Sequence, residues 1–277
     1  MSTIAATSSH WAERPFALIV PPTKPTGDLS ATDEACYNLA VNMALWHNIF
    51  FRGLNSLYNY APHVANGSAR DKHDLVTFGL VWYNMLAGHH DGEEEVLFPA
   101  LEKASGNAGL MSANVNQHKA FHSGFTDLKS YLDSVMADPA ASVFDGARLQ
   151  AVIDAFAPAL MQHLHDEIPT LINYGHQHPT VDVHKIRVEY SRALRSRGPG
   201  LARGFAENLP FMSVCHDDAF DDGKWRDHWH PMHKILASVA KWTFYWPNRG
   251  AWRFAPCSFD MELQSHMTTI VSQPGIN

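Results

Sequence analysis

Residues 89–101 read HHDGEEEVLFPAL. A histidine and a glutamate four residues apart, His89 with Glu93 or His90 with Glu94, stand one turn above each other on one face of a helix. Working outward, the same spacing recurs in His118 with His122 and in His163 with Glu167, while His47 sits alone within an apolar stripe. Each of these positions is in phase with apolar residues, so the face that carries it points into a core. A carboxylate buried without a partner is costly, and two of them among neutral imidazoles require a cation. The cation that five histidines and two glutamates suit is a metal, and seven ligands are more than one ion needs.

The stripes define four long amphipathic helices. The first, capped by Thr32 or Asp33, carries Cys36, Ala40, Met43, His47, Phe50, Leu54 and Leu57 on one face. The second spans about 71–103, and periodicity alone does not choose between its two adjacent pairs, His89 with Glu93 and His90 with Glu94. Gly88 and Gly92 beside those pairs predict close approach or a local irregularity. After a Gly/Ser/Asn-rich connector at 105–114, the third helix aligns Val115, His118, His122, Phe125, Leu128, Leu132 and Val135. Asp145 caps the fourth, where Leu149, Ile153, Phe156, Leu160, His163, Glu167 and Leu171 share a face. Four such helices with short connections predict an all-α, up-down-up-down four-helix bundle with the metal site inside.

The 277 residues, 45% hydrophobic, suffice for one substantial core with an appendage. We divide the chain into an extended arm at 1–30, the bundle at 31–178 and a helical, Trp-rich extension at 179–277. The extension is expected to pack on the bundle, because it has too many tryptophans to leave solvated and is too short to bury them alone. Its first part, 185–206, is basic and reads as a solvated helix ending in a Gly/Pro break; a further helix is expected from Pro231 to Trp246. A net charge of −7 without a basic block argues against nucleic acid, and the acidic chain disfavours a membrane-surface helix around Trp242 and Trp246. Three cysteines, Cys36, Cys215 and Cys257, an odd number, point to a reducing compartment; without a long apolar run near the start, a cytoplasmic location is expected. His228, His230 and His233 with Asp227 form a small second cluster, read foremost as a helix start rather than a metal site. No G-x-S-x-G string supports a hydrolase triad.

The lack of cysteine pairs argues against a structural zinc or iron–sulfur site, and an imidazole-rich set with bridging carboxylates suits iron ahead of manganese or zinc. Two six-coordinate ions sharing two carboxylates and an oxo or hydroxo bridge leave six terminal places, and five histidines leave one of them open to O₂ or peroxide. The strings HNIFFRGLN from His47, HHDGEEEVLFPAL from His89, HKAFH from His118 and HLHDEIPTL from His163 resemble the hemerythrin-like (HHE cation-binding) family over about 30–178. That resemblance implies His89 and Glu93 as ligands, with His90 and Glu94 behind them or as alternatives. It further implies that Glu93 and Glu167 bridge two irons, that His118, His122 and His163 hold one, and that His47 and His89 hold the other, with the open place. The last motif and the long extension depart from the oxygen-carrying members and are similar to hemerythrin-like proteins of filamentous fungi. Three functions follow in order: a non-heme di-iron oxidoreductase acting on a small organic substrate with O₂ or peroxide; a protein that binds or senses O₂, iron or nitric oxide without turnover; and an inert scaffold. No catalytic residue beyond the ligands is identified, and the sequence carries no indication of oligomeric state.

Overall fold

The computed structural model describes residues 10–197, 201–226 and 240–270. Among them the regular structure is helical, with one isolated bridge between Cys257 and Leu263. Helices α1 (Ala31–Val64), α2 (Ala69–Gly92), α4 (Ser112–Ala137) and α5 (Gly146–Gln177) form the bundle. The pairs in contact are α1 with α2, α2 with α4, α4 with α5 and α5 with α1, which closes a ring of four around one core. Helix α3 (Phe98–Ser105) continues α2 after a π-helical turn at Glu93–Leu97.

Both α1 and α2 begin with the same device. Ser30 and Ser68 accept from the backbone N–H of Asp33 and Asp71, whose carboxylates accept in turn from the serine backbone N–H groups. The cap of α1 is therefore Ser30 rather than Thr32 or Asp33, because a reciprocal box satisfies two orphan donors where a single residue satisfies one. Asp145 caps α5, accepting from the Arg148 N–H at 3.0 Å. The apolar stripes of α1 and α5 are buried as their spacing requires.

The single helix expected over 71–103 is interrupted. At the π turn the Phe98 N–H bonds back to the Glu93 carbonyl, five residues away, which inserts one residue into the turn. The irregularity falls directly after Gly92. Gly88, in contrast, has nothing within 4 Å of where a side chain would begin, so close approach is not its role.

The extension packs on the bundle through α6 (Val183–Arg197), α7 (Leu201–Cys215) and the short α8 (Arg249–Trp252). Helix α6 is amphipathic, not solvated: Val183, Ile186 and Tyr190 are buried while His184, Lys185 and Glu189 are exposed. From α7, Phe211 reaches Trp82 and Gly53, where an added Cβ on Gly53 would lie 2.6 Å from Trp82 Cδ1 and 2.8 Å from Phe211 Cζ. The arm docks through buried Phe16 and Ile19. Asn55 binds the N–H and C=O of Phe16, each at 2.8 Å, and Asn48 does the same for Ile19 at 2.8 and 2.9 Å. Buried Arg52 joins the three parts, donating to Glu13 of the arm at 3.2 Å and to Asp217 of the extension at 3.0 Å. The cluster at Asp227–His233 and the greater part of the expected Pro231–Trp246 helix lie outside the described residues. Among the described residues no helix is long and apolar enough to cross a membrane.

Candidate metal centre

Helix α1 contributes His47, α2 contributes His89 and His90, the π turn Glu93, α4 His118, and α5 His163 and Glu167, all in the bundle core. His47, Glu93, His163 and Glu167 have no exposed surface, and His89, His90 and His118 are 5 to 7% exposed. Donor atoms of His90, Glu93, His118 and His163 lie within 4.8 Å of one another, as do those of His47, His89 and Glu93. Glu93 belongs to both groups. Glu167 joins the second side, its Oε2 being 3.3 Å from His47 Nε2.

Of the residues singled out from sequence, His122 alone among the expected ligands is not brought to this cluster. It is exposed, on a row of α4 with Lys119, Thr126 and Asp133, while Asn114, His118, Phe121, Phe125, Leu128, Leu132 and Val135 form the buried face. The i,i+4 spacing of His118 and His122 was compatible with two rotations of the helix, and the 3-4-3-4 apolar spacing through Phe121 is the one the core adopts. His90 takes the fifth histidine's place. Adjacent residues on a helix point about 100° apart, and around a site holding two ions both can face inward. His89 turns toward His47 (Nε2 to Nε2 3.3 Å), whereas the His90 ring packs against His118 and His163, at 4.4 and 5.1 Å between centroids. The two alternative registers of this helix therefore both supply a histidine, but only one supplies a buried glutamate.

Glu94 is 41% exposed and receives a 2.7 Å hydrogen bond from His118 Nδ1. That bond places the proton of a neutral His118 on Nδ1 and leaves the Nε2 lone pair facing the core. His47 is set in the same way, with Nδ1 donating to the Leu164 carbonyl at 2.8 Å. Trp46, Phe50, Phe98 and Phe121 pack in tilted contact with the imidazoles, with ring centroids 5.2 to 6.3 Å apart.

The donors fit a metal pair. Both oxygens of Glu93, both of Glu167, and His90 Nε2 are buried without a hydrogen-bond partner. His89 Nε2 comes within 2.8 Å of Glu93 Oε1, and His118 Nε2 within 3.6 Å of Glu93 Oε2, yet neither contact is directed as a hydrogen bond. Donors bound at right angles to one ion by bonds of about 2.1 Å lie about 3 Å apart, which is the spacing seen. Left to itself, the cluster is electrostatically poor. Burial pushes the Glu93 carboxyl well above the usual carboxylate range, with neighbouring Glu167 adding to the shift. Burial likewise lowers His89 to about 4, and it holds His90 and His163 well below the usual imidazole range, helped there by the imidazoles around them.

One buried polar group near the cluster had no signal in the sequence. Tyr190, on α6, is 6% exposed, and its hydroxyl has no partner. Burial raises its phenol well above the ordinary range, and the charges adding to that shift are Glu93 and Glu167. The basic composition of α6 obscures the Val183, Ile186, Tyr190 stripe that announces its buried face.

A closed four-helix bundle lined by imidazoles and two buried carboxylates defines a cation-binding protein of the His/Glu bundle class. The hemerythrin HHE cation binding domain matches residues 40–172. The chain is also 32% identical, over 260 residues, to the dimeric xanthone biosynthesis cluster protein R11 of Cryptosporiopsis sp. (strain 8999), covering 93% of this chain and 92% of that protein. This chain belongs to the hemerythrin HHE cation-binding family. No solved structure matches it.

Proposed function

We propose that the protein is a non-heme di-iron oxidoreductase that uses O₂ or peroxide to oxidise a small organic molecule. The observation that carries the proposal is the set of buried donors without partners around Glu93, which is shared between two groups of imidazoles. In this assignment His90, His118 and His163 hold one ion, His47 and His89 the other, and Glu93 and Glu167 lie between them. Two iron ions so held supply redox chemistry toward O₂ or peroxide. The protein's own contribution is orientation and exclusion. Glu94 and the Leu164 carbonyl keep the Nδ1 protons of His118 and His47 in place, so their Nε2 lone pairs stay available. The two carboxylates balance positive charge in a core where water cannot. The side with only His47 and His89 would have the fewer protein donors, and so a place for a small molecule, when ions are bound.

Two observations favour an oxidoreductase over a carrier. An oxygen carrier needs only the bundle, whereas here α6 packs on the π turn that carries Glu93 and on α1, α2 and α3. The relative's name places that protein in a dimeric xanthone biosynthesis cluster, a setting of small-molecule synthesis. The test begins with elemental analysis of protein expressed with ample iron, where about two irons per chain are expected. Reduced, iron-loaded protein is then mixed with O₂ and candidate aromatic substrates, and oxidised product is sought by mass spectrometry. O₂ taken up and released unchanged would make this a carrier instead, and a reproducible single ion with full activity would overturn the di-metal assignment.

A further inference from the structure

We infer that Tyr190 of the extension donates its phenolic hydrogen to the small molecule that binds at the metal pair, and so makes α6 part of the site. The inference rests on the proposed metal centre and adds to it a residue outside the bundle. A buried tyrosine hydroxyl normally finds an acceptor. Tyr131 donates to the Asp145 carbonyl at 2.8 Å, Tyr174 to the Leu101 carbonyl at 2.9 Å, and Tyr60 accepts from the Thr268 N–H at 2.6 Å. Tyr190 is equally buried and satisfies none of its capacity with protein.

Its position gives the missing partner. Helix α6 rests on the π turn, α1, α2 and α3, which together carry His47, His89, His90 and Glu93. The charged groups that act on the phenol are Glu93 and Glu167, the two carboxylates of the centre. The imidazoles and carboxylates of the centre turn their lone pairs toward the ions, and the Nδ1 protons of His47 and His118 are already given to the Leu164 carbonyl and to Glu94. A small anion held at such a centre would carry negative charge at its free end, and an O–H donor beside it would stabilise that charge. Among the described residues Tyr190 carries the only buried side-chain hydroxyl without a partner.

Azide serves as the probe, a small anion that binds ferric ions and gives a visible charge-transfer band. Titrations of iron-loaded wild type and Tyr190→Phe are compared, with iron content and melting temperature measured for both. The inference expects equal iron content, a melting temperature no lower in the variant, about ten-fold weaker azide binding, and a shifted azide band. Equal azide affinity and an unmoved band would overturn it. A phenolate-to-iron band in the azide-free wild type, lost in Tyr190→Phe, would also overturn it by making the tyrosine a direct ligand. If wild type takes up no iron pair, or takes it up and ignores azide, the inference falls as well; only the first of those outcomes also removes the metal centre itself.

Discussion

At the scale of single residues, neighbouring positions have opposite fates. His90 and His122 were both candidates by spacing; the first is buried against the cluster and the second faces solvent. His90→Ala is expected to remove at least one metal ion per chain, whereas His122→Ala leaves metal content and melting temperature unchanged, as elemental analysis with thermal melts will show. Six of the seven residues at the cluster were legible because His and Glu at i,i+4 in an apolar stripe are costly without a cation. The seventh, His90, was read only as an alternative to His89 or as lying behind it, because consecutive residues on one helix normally point to different surroundings and only a site wide enough for two ions accepts both. The metal-free protein is also expected to depend on pH. His89 titrates near 4 when folded and near 6.5 when unfolded, so between those values the unfolded chain binds a proton that the folded chain refuses. Stability of chelator-treated protein should therefore fall as pH drops from about 6.5 to 4, by up to about 3 kcal/mol from this group alone, with His90 and His163 acting in the same direction. Denaturant melts of the metal-free protein across that range provide the measurement; a flat profile would contradict it.

At the scale of elements, the helices and the Asp145 cap were legible, while the caps of α1 and α2 and the nature of the irregularity after Gly92 were not. Stripes identify existence and facing, but the Ser-x-x-Asp boxes at Ser30 and Ser68 use aspartate where glutamate or glutamine is the usual third-position partner. The π turn at Glu93–Leu97 is invisible to any 3.6-residue count, since it is a departure from that period. It nevertheless sets how Phe98 and Leu101, both buried, meet the core after Glu93 has been delivered to the cluster. Deleting Glu95, an exposed residue within the turn, should restore α-helical spacing and rotate the following helix by about 100°. Helical content measured by circular dichroism should survive, while the melting temperature drops by several degrees. An unchanged melting temperature would mean that the extra residue has no role in placing α3.

Across the whole molecule, arm, bundle and extension share one hydrophobic core in which Phe16, Ile19, Phe211, Met212, Trp252 and Phe254 sit with the bundle's own residues. Attachment was expected from tryptophan content, yet Trp252 is buried while Trp242 and Trp246 are 72% and 57% exposed, so most of the contact is made by other residues. Arg52, within the HNIFFRGLN string beside the first ligand, reads as a surface cation and is instead 3% exposed between Glu13 and Asp217. Arg52→Ala leaves two largely buried carboxylates, Glu13 and Asp217, without their shared cation. We expect a loss of about 3–5 kcal/mol in denaturant unfolding, together with faster proteolysis of the arm. Loss of less than about 1 kcal/mol would show that the apolar contacts alone hold the three parts together.

The complete burial of His47, Glu93, His163 and Glu167 has a consequence for time rather than for energy. A cation cannot reach donors with no exposed surface unless the helices over them separate, and it cannot leave by any other route. Loading and loss are then governed by how often the bundle breathes, not by how tightly the donors hold. Chelator in solution competes only for ions already released, so raising its concentration speeds removal no further once every opening is productive. A chain that folds around the wrong cation would keep it until the bundle next opens far enough to release it, so the metal present during synthesis weighs on what the mature protein contains.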